Sequence, residues 1–251
     1  EIVINPVEPG SLPRDITDLL MMEFPPMMIE PGATQTVYLK EAVLNYIALL
    51  GWSPKGDQEI FSLQELIDAF DIAGISKSPA IFDPQKLRFI NASYLRALSA
   101  EEFYDKALPW MRRTVHGQSA DLRELAGVLQ ARCEVLSDIP EQVDFIDAVP
   151  DYDAGLYTSK KMKTTPQTSL EALEKALPVL EGVPSWTAGD IHEALFALIE
   201  RLGVKNGWLL YPLRVALSGK QFTPGGGIEL CAVLGREESL RRVRDAIAKL
   251  S

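Results

Sequence analysis

The chain has 251 residues, 47% of them hydrophobic and 24% charged, which is enough to bury a sizeable core and is the balance of an ordinary soluble globular protein. No apolar run approaches the roughly 20 residues that span a bilayer, and no basic lead followed by an apolar stretch opens the chain, so neither a membrane span nor an export signal is expected. The net charge of −10 argues at first against a nucleic-acid partner, but nine Lys and Arg stand against four Asp and Glu from Arg201 to Ser251, a local +5 that leaves −15 upstream. A phosphate backbone responds to that local field more than to the whole-chain charge.

Residues 1–37 are rich in Pro and Met and lack sustained periodicity; short strand-like alternation is confined to the region near Glu1 to Val7. They read as an irregular N-terminal extension or a cut end. Residues 38–97 hold a helix from Tyr38 to Leu50 that stops at Gly51, a second from Ser62 to Phe70, and a third opened by Asp83-Pro84. Residues 98–149 hold helices that start at Ser99, with Glu102 three residues on, and end near Pro140 and Pro150. Residues 150–251 form a last helical unit, with Lys160-Lys161-Met162-Lys163 as an exposed basic segment. Helix starts are expected there at Thr168 with Glu171 and at Thr187 with Asp190, where a hydroxyl caps first-turn N–H groups and the acid caps back. Apolar residues follow at helical spacing, as in Ile191, Leu195, Leu198, Ile199 and Leu202, and Gly203 and Gly219 close helices. The whole reads as an all-α chain with no internal repeat.

The motifs for chemistry are thin. His116 and His192 are the only histidines, and neither has a ligand partner at metal spacing; Cys133 and Cys231 also lie far apart, as in a reduced cytoplasmic compartment. Pairs such as Glu101-Glu102 and Glu237-Glu238 fall in first turns of helices, where the macrodipole favours acids. Gly225-Gly226-Gly227 lacks the Gly-Lys-Ser/Thr ending of a phosphate loop; it reads as a turn whose bare N–H groups at a helix start can still take a phosphate or a base edge. Ser76-Lys77-Ser78 imitates a nucleotide-binding lysine loop of the K-M-S-K-S form. No parallel βαβ pattern precedes it, Ser78-Pro79 disfavours helix, and the stretch reads as a turn.

Four segments in order, Leu39 to Trp52, Ser76 to Asp83, Tyr211 to Gly219, and Thr223-Pro224-Gly225 with Glu229-Leu230 and Leu234 to Glu237, resemble the C-terminal half of bacterial-type glutamyl-tRNA synthetases. The resemblance runs from about Tyr38 to the end. It implies a helical stem-contact region over 38–97, followed by a two-part α-helical anticodon-binding cage, with subdomains over 98–149 and 150–251. The family's H-I-G-H and lysine-loop signatures are missing upstream of the Leu-Asn-Tyr helix. The resemblance therefore implies no catalytic residue and no cofactor in this chain, with ATP and Mg²⁺ expected only for a catalytic domain that the sequence does not show.

Carried onto matching positions, the resemblance makes Arg132 the arginine that faces the third anticodon base, placed in a helix read as Leu129 to Leu136. A planar guanidinium can donate two bonds to a base edge, while pairing with Glu134 or Asp138 is the alternative. Tyr211, Arg214, Thr223 and Pro224 correspond to anticodon-loop positions, Tyr211 as a ring to stack on an unpaired base and Arg214 as the strongest candidate, with a pair to Glu229 as its alternative. Gly225 offers its helix-start backbone, and Arg241 is expected to hold phosphate. The implied partners are glutamate tRNA, chiefly at its anticodon loop, and the catalytic domain of the same synthetase, without a membrane. The rival expectation is a shortened relative that docks on a protein without binding tRNA.

Overall fold

The computed structural model describes residues 2–4, 36–76 and 81–251. Most of the Pro- and Met-rich stretch and the Lys77-Ser78-Pro79 turn lie outside the described residues. The chain divides into two compact units: Glu1–Ala97 with Glu134–Asp138, and Leu98–Cys133 with Ile139–Ser251. Residues 98–149 and 150–251, read separately from the sequence, fall in one unit apart from 134–138.

In the first unit, β1 (Ile2–Ile4) pairs antiparallel with β2 (Thr36–Tyr38), a small ribbon beside an otherwise helical body. The helices are α1 (Lys40–Gly51), α2 (Leu63–Ala69) and α3 (Pro84–Ala97). Their starts follow the expected chemistry. Ser62 and Glu65 form a reciprocal capping box, and the Asp83 carboxylate accepts from the N–H groups of Gln85 and Lys86 at 2.9 and 3.2 Å. Tyr38 ends β2 rather than opening α1, because its backbone is spent on the ladder to Ile2.

Two buried asparagines hold this unit's loops. Asn45 accepts from the Phe61 N–H at 2.8 Å and donates to the Glu59 carbonyl at 3.0 Å. Asn91 accepts from the Leu39 N–H at 2.8 Å and donates to the Glu134 carbonyl, while Arg88 pairs with the Glu134 and Asp138 carboxylates. These bonds explain why 134–138 belongs here although its flanks do not. Gly74 is required on packing grounds, since a Cβ would lie 2.6 Å from the Trp52 Nε1.

The second unit contains α4 (Ala100–Met111), α5 (Leu122–Gln130), the single turn α6 (Ile139–Gln142), α7 (Pro166–Glu181), α8 (Ala188–Leu202), α9 (Asn206–Ser218), α10 (Gly227–Leu234) and α11 (Arg236–Leu250). Helix α7 packs on α8, α9 and α11; α10 bridges α9, α8 and α5; α4 packs on α5 and α6. Leu173, Leu195, Leu213, Val215, Leu230 and Val243 are fully buried where these faces meet.

Three local expectations change. Helix α7 starts at Thr165, not Thr168: Pro166 occupies the first helical position and Thr168 is the third-position partner of the Thr165 cap. Pro140 lies inside α6 instead of ending a helix, at a first-turn position where its missing N–H costs nothing. Pro178 and Pro212 likewise stand inside α7 and α9. The Ser99–Glu102 capping box, the Thr187 cap on Asp190 and the left-handed Gly203 and Gly219 stops, each at φ 65°, are as read.

Candidate nucleic-acid interface

The loop from Gly219 to Gly226 joins α9 to α10, and the two strongest candidate arginines meet on it. Arg132 lies just past α5, not inside a helix running to Leu136. Its own N–H and that of Cys133 both reach the Leu129 carbonyl, at 2.9 and 2.8 Å, so the helix tightens and ends there. From that turn the Arg132 Nη1 donates to the Thr223 carbonyl at 3.1 Å. Arg214, from the middle of α9, donates through Nη1 to the Gln221 carbonyl at 3.0 Å. Two cations, one from the turn after α5 and one from α9, therefore pin the same loop two residues apart.

Neither guanidinium forms an ion pair among the described residues, although the Glu229 carboxylate lies near enough to Arg214 to favour its charge without a direct bond. Glu134 and Asp138 are taken by Arg88, and Glu229 accepts from the Gly226 N–H at 2.9 Å. The Arg214 Nε is buried and has no hydrogen-bond partner. Burial first, and the neighbouring positive charge of Arg132 second, pull the Arg214 guanidinium below its ordinary range. A half-buried cation beside a second, exposed cation makes a surrounding that favours an anion or a base-edge acceptor at the exposed Arg132 side, while the Arg214 Nε itself lies buried beyond direct reach.

The other expected residues shape the loop. Thr223 is 8% exposed and its Oγ1 donates to the Gly225 carbonyl. Pro224 and Gly225 are buried, and a Cβ on Gly225 would come within 2.7 Å of Val128. The glycine triplet thus serves close packing. The expected bare helix start is not bare: the Glu229 carboxylate sits on the Gly226 N–H, which puts negative charge where a phosphate would go.

Tyr211 lies beside Arg214 and Gln221 but is spent on the fold, and Arg241 stands apart from the cluster. Tyr211 is 6% exposed and its hydroxyl donates to the Leu156 carbonyl at 2.7 Å, so the ring presents no open face to a base. Arg241 is held between Glu238 and Asp245 on α11 and lines a separate cleft with Asp147, Asp151 and Asp245. Arg242 is 2% exposed; its guanidinium donates to the Phe145, Leu217 and Ile146 carbonyls and pairs with Glu238. Arg244 pairs with Glu181. The basic turn at Lys160, Lys161 and Lys163 is exposed, as expected, and is closed by the Ser159–Thr164 bridge.

Sequence reading missed Phe222. Its residue is 85% exposed, between Gln221 and Thr223, whose carbonyls the two arginines hold. The available signal was an aromatic in a polar stretch beyond the Gly219 stop, outside any helical period that could give it a buried face.

The second unit is thus a helical body in which two arginines without ion pairs converge on one inter-helix loop. Residues 102–247, more than half of the chain, match the anticodon binding domain family, and the chain belongs to that family. Residues 29–89 match the catalytic domain model of class I tRNA synthetases (E and Q), a match that begins upstream of Tyr38, where the sequence likeness was first read. Among curated relatives, the chain is 50% identical over 223 residues to a glutamate–tRNA ligase of Clostridium acetobutylicum, covering 89% of this chain and 45% of that protein. It is 52% identical over 213 residues to the Clostridium tetani glutamate–tRNA ligase, covering 85% of this chain and 43% of that one. A crystal structure of a glutamate tRNA ligase from Elizabethkingia meningosepticum aligns with a TM-score of 0.69 at 27% identity, over 85% of this chain and 42% of that one. The glutamate–tRNA synthetase of Elizabethkingia anophelis aligns with a TM-score of 0.67. The chain spans less than half the length of these relatives, and the part matched is their C-terminal portion. No helix among the described residues is long and apolar enough to cross a membrane.

Proposed function

We propose that the second unit reads the anticodon loop of glutamate tRNA, in the cytoplasm, as the RNA-recognising part of a glutamyl-tRNA synthetase. The observation that carries this is the pair Arg132 and Arg214, converging on the 221–223 backbone with no carboxylate in ion-pair contact with either. Unpaired anticodon bases can be splayed out so that their edges meet such donors, whereas the major-groove edges of duplex RNA lie in a deep, narrow groove that side chains do not enter. The exposed turn at Lys160, Lys161 and Lys163 supplies positive charge for phosphates on the same unit. Glutamate activation with ATP and Mg²⁺ belongs, on this reading, to the catalytic portion of the synthetase.

A catalytic body as a partner is supported by the first unit. There Leu63, Ile67, Phe70, Ile72, Ile81 and Phe89 are each more than half exposed, and the class I catalytic model matches within this same unit. The test of the RNA reading is a binding titration of the chain with glutamate tRNA at several salt concentrations. Saturable, salt-weakened binding that an anticodon stem-loop competes away is the expected result. A chain that is folded by circular dichroism and shows no such binding would overturn it, and would favour the protein-docking alternative.

A further inference from the structure

We propose that Phe222 is the stacking platform for an unpaired base at this interface, a role that rests on the RNA reading above. In the second unit, Phe222 is the one large apolar side chain that stands well exposed among the described residues; Phe103, Phe145, Leu129, Leu209 and Val243 are all fully buried. An 85% exposed phenyl ring meets water over nearly its whole surface and gains nothing for the fold. The backbone beneath it is nevertheless held at every step. Gly219 approaches Val149, Pro150 and Tyr152 so closely that a Cβ would lie 3.0 to 3.2 Å from them. The Lys220 Nζ reaches Asp144 and the Glu141 carbonyl, Arg214 holds the Gln221 carbonyl, Arg132 holds the Thr223 carbonyl, and the Thr223 hydroxyl closes on the Gly225 carbonyl.

A ring carried on a pinned loop pays little ordering entropy when a flat partner lands on it, which is the condition for an effective stacking contact. The chemistry of the partner follows from the neighbours. The backbone on either side of the ring is held by two guanidiniums, so the surroundings are cationic and suit a partner that is flat, apolar on its faces and rich in acceptors at its edge. An unpaired nucleobase has that description, and base–aromatic stacking tolerates any of the four bases. The division of labour is then physical: the arginines select by edge, and Phe222 fixes the plane in which the edge is read.

The test uses the full chain and an anticodon stem-loop of glutamate tRNA carrying a fluorescent 2-aminopurine in the loop. With the wild-type chain, binding should change the fluorescence as the base leaves its neighbours for the ring. Phe222→Leu, which keeps an apolar side chain but removes the π-face, should weaken binding about 5- to 100-fold. Its salt dependence should stay that of the wild type, since no phosphate contact is lost. Phe222→Tyr and Phe222→Trp should restore affinity and the fluorescence change. Because the ring is solvent-exposed, the denaturation midpoint of all three variants should match the wild type. Leu equal to wild type in a chain that still binds would overturn the platform and leave the RNA reading standing. Tyr and Trp as weak as Leu would also overturn it, and a wild-type chain that binds no stem-loop removes both.

Discussion

The second unit carries two sets of arginines, and they are built in opposite ways. On α11, Arg241, Arg242 and Arg244 each meet a carboxylate, from Glu238, Asp245 or Glu181, and Arg242 is further locked by three backbone carbonyls. On the 219–226 loop, Arg132 and Arg214 meet one carbonyl each and no carboxylate. The local charge of +5 between residues 201 and 251 is therefore a poor guide to where an anion would bind. The arginines clustered in sequence on α11 are neutralised in space, whereas Arg132 and Arg214, 82 positions apart in sequence, converge on one loop without an ion pair. Charge that already has a partner holds the fold together; charge without one is available for recognition.

That contrast can be broken in four places. Replacing Arg242 by Ala should have the largest effect, a loss of about 3–5 kcal/mol, because three buried carbonyls and Glu238 lose their donor together. Urea unfolding measures it, and a change under 1 kcal/mol would mean that Arg242 does not anchor α11. Arg214→Ala should reverse the pattern, leaving the unfolding midpoint nearly in place while tRNA affinity falls roughly 10- to 100-fold, the range of a hydrogen bond to a charged group. If it unfolds the chain instead, Arg214 belongs with Arg242.

The acid side of the stability profile sharpens the same point at smaller scale. Hydrogen bonds from Arg241 and then Arg242 hold the Glu238 carboxyl below its ordinary range. Its contribution is therefore complete above the usual glutamate pKa of about 4.3 and disappears as pH falls through the lowered folded-state value. Melting temperatures from pH 3 to 7 should drop less steeply for Glu238→Gln than for the wild type, and parallel curves would count against the pairing. Arg241→Ala should do least of all. An exposed cation between Glu238 and Asp245 should shift stability by no more than about 1 kcal/mol and tRNA affinity by less than about twofold. A large fall in affinity would show that sequence reading was right to place Arg241 among the phosphate contacts.

Much of the architecture was legible because local chemistry and tertiary structure agree. Ser62 with Glu65 and Ser99 with Glu102 cap the helices that their spacing announces, and Gly203 and Gly219 stop theirs in the left-handed conformation. Errors arose where two local signals competed. At α7 the Thr168–Glu171 spacing imitated a start, while Thr165-Pro166 made one three residues earlier. At Arg132 the apolar period of α5 continues into Val135 and Leu136, yet the chain leaves the helix after Gln130 so that Glu134–Asp138 can join the first unit. No local pattern encodes that departure, because its cause is the side chains of Arg88 and Asn91, more than 40 residues upstream.

The site was half legible for a similar reason. Arg132 and Arg214 could be named from the sequence, but their meeting depends on the Thr223 and Gln221 carbonyls, which carry no side-chain signature. Tyr211 looked available because tyrosine is amphipathic, and only the fold shows its hydroxyl spent on Leu156. Phe222 was overlooked because aromatic residues are ordinarily read as core.

The five-residue excursion at Glu134–Asp138 has a practical consequence for anyone dissecting this molecule. The polypeptide changes unit at Ala97, again at Cys133 and once more at Asp138, so no single cut separates the two bodies cleanly. A shortened chain starting at Leu98 would keep Glu134 and Asp138 but lose Arg88 and Asn91, stranding two carboxylates and a carbonyl immediately downstream of Arg132. RNA affinity lost on such a truncation would report a damaged neighbour of that arginine as readily as a missing contact surface, and single-residue replacement in the uncut protein is the sounder route.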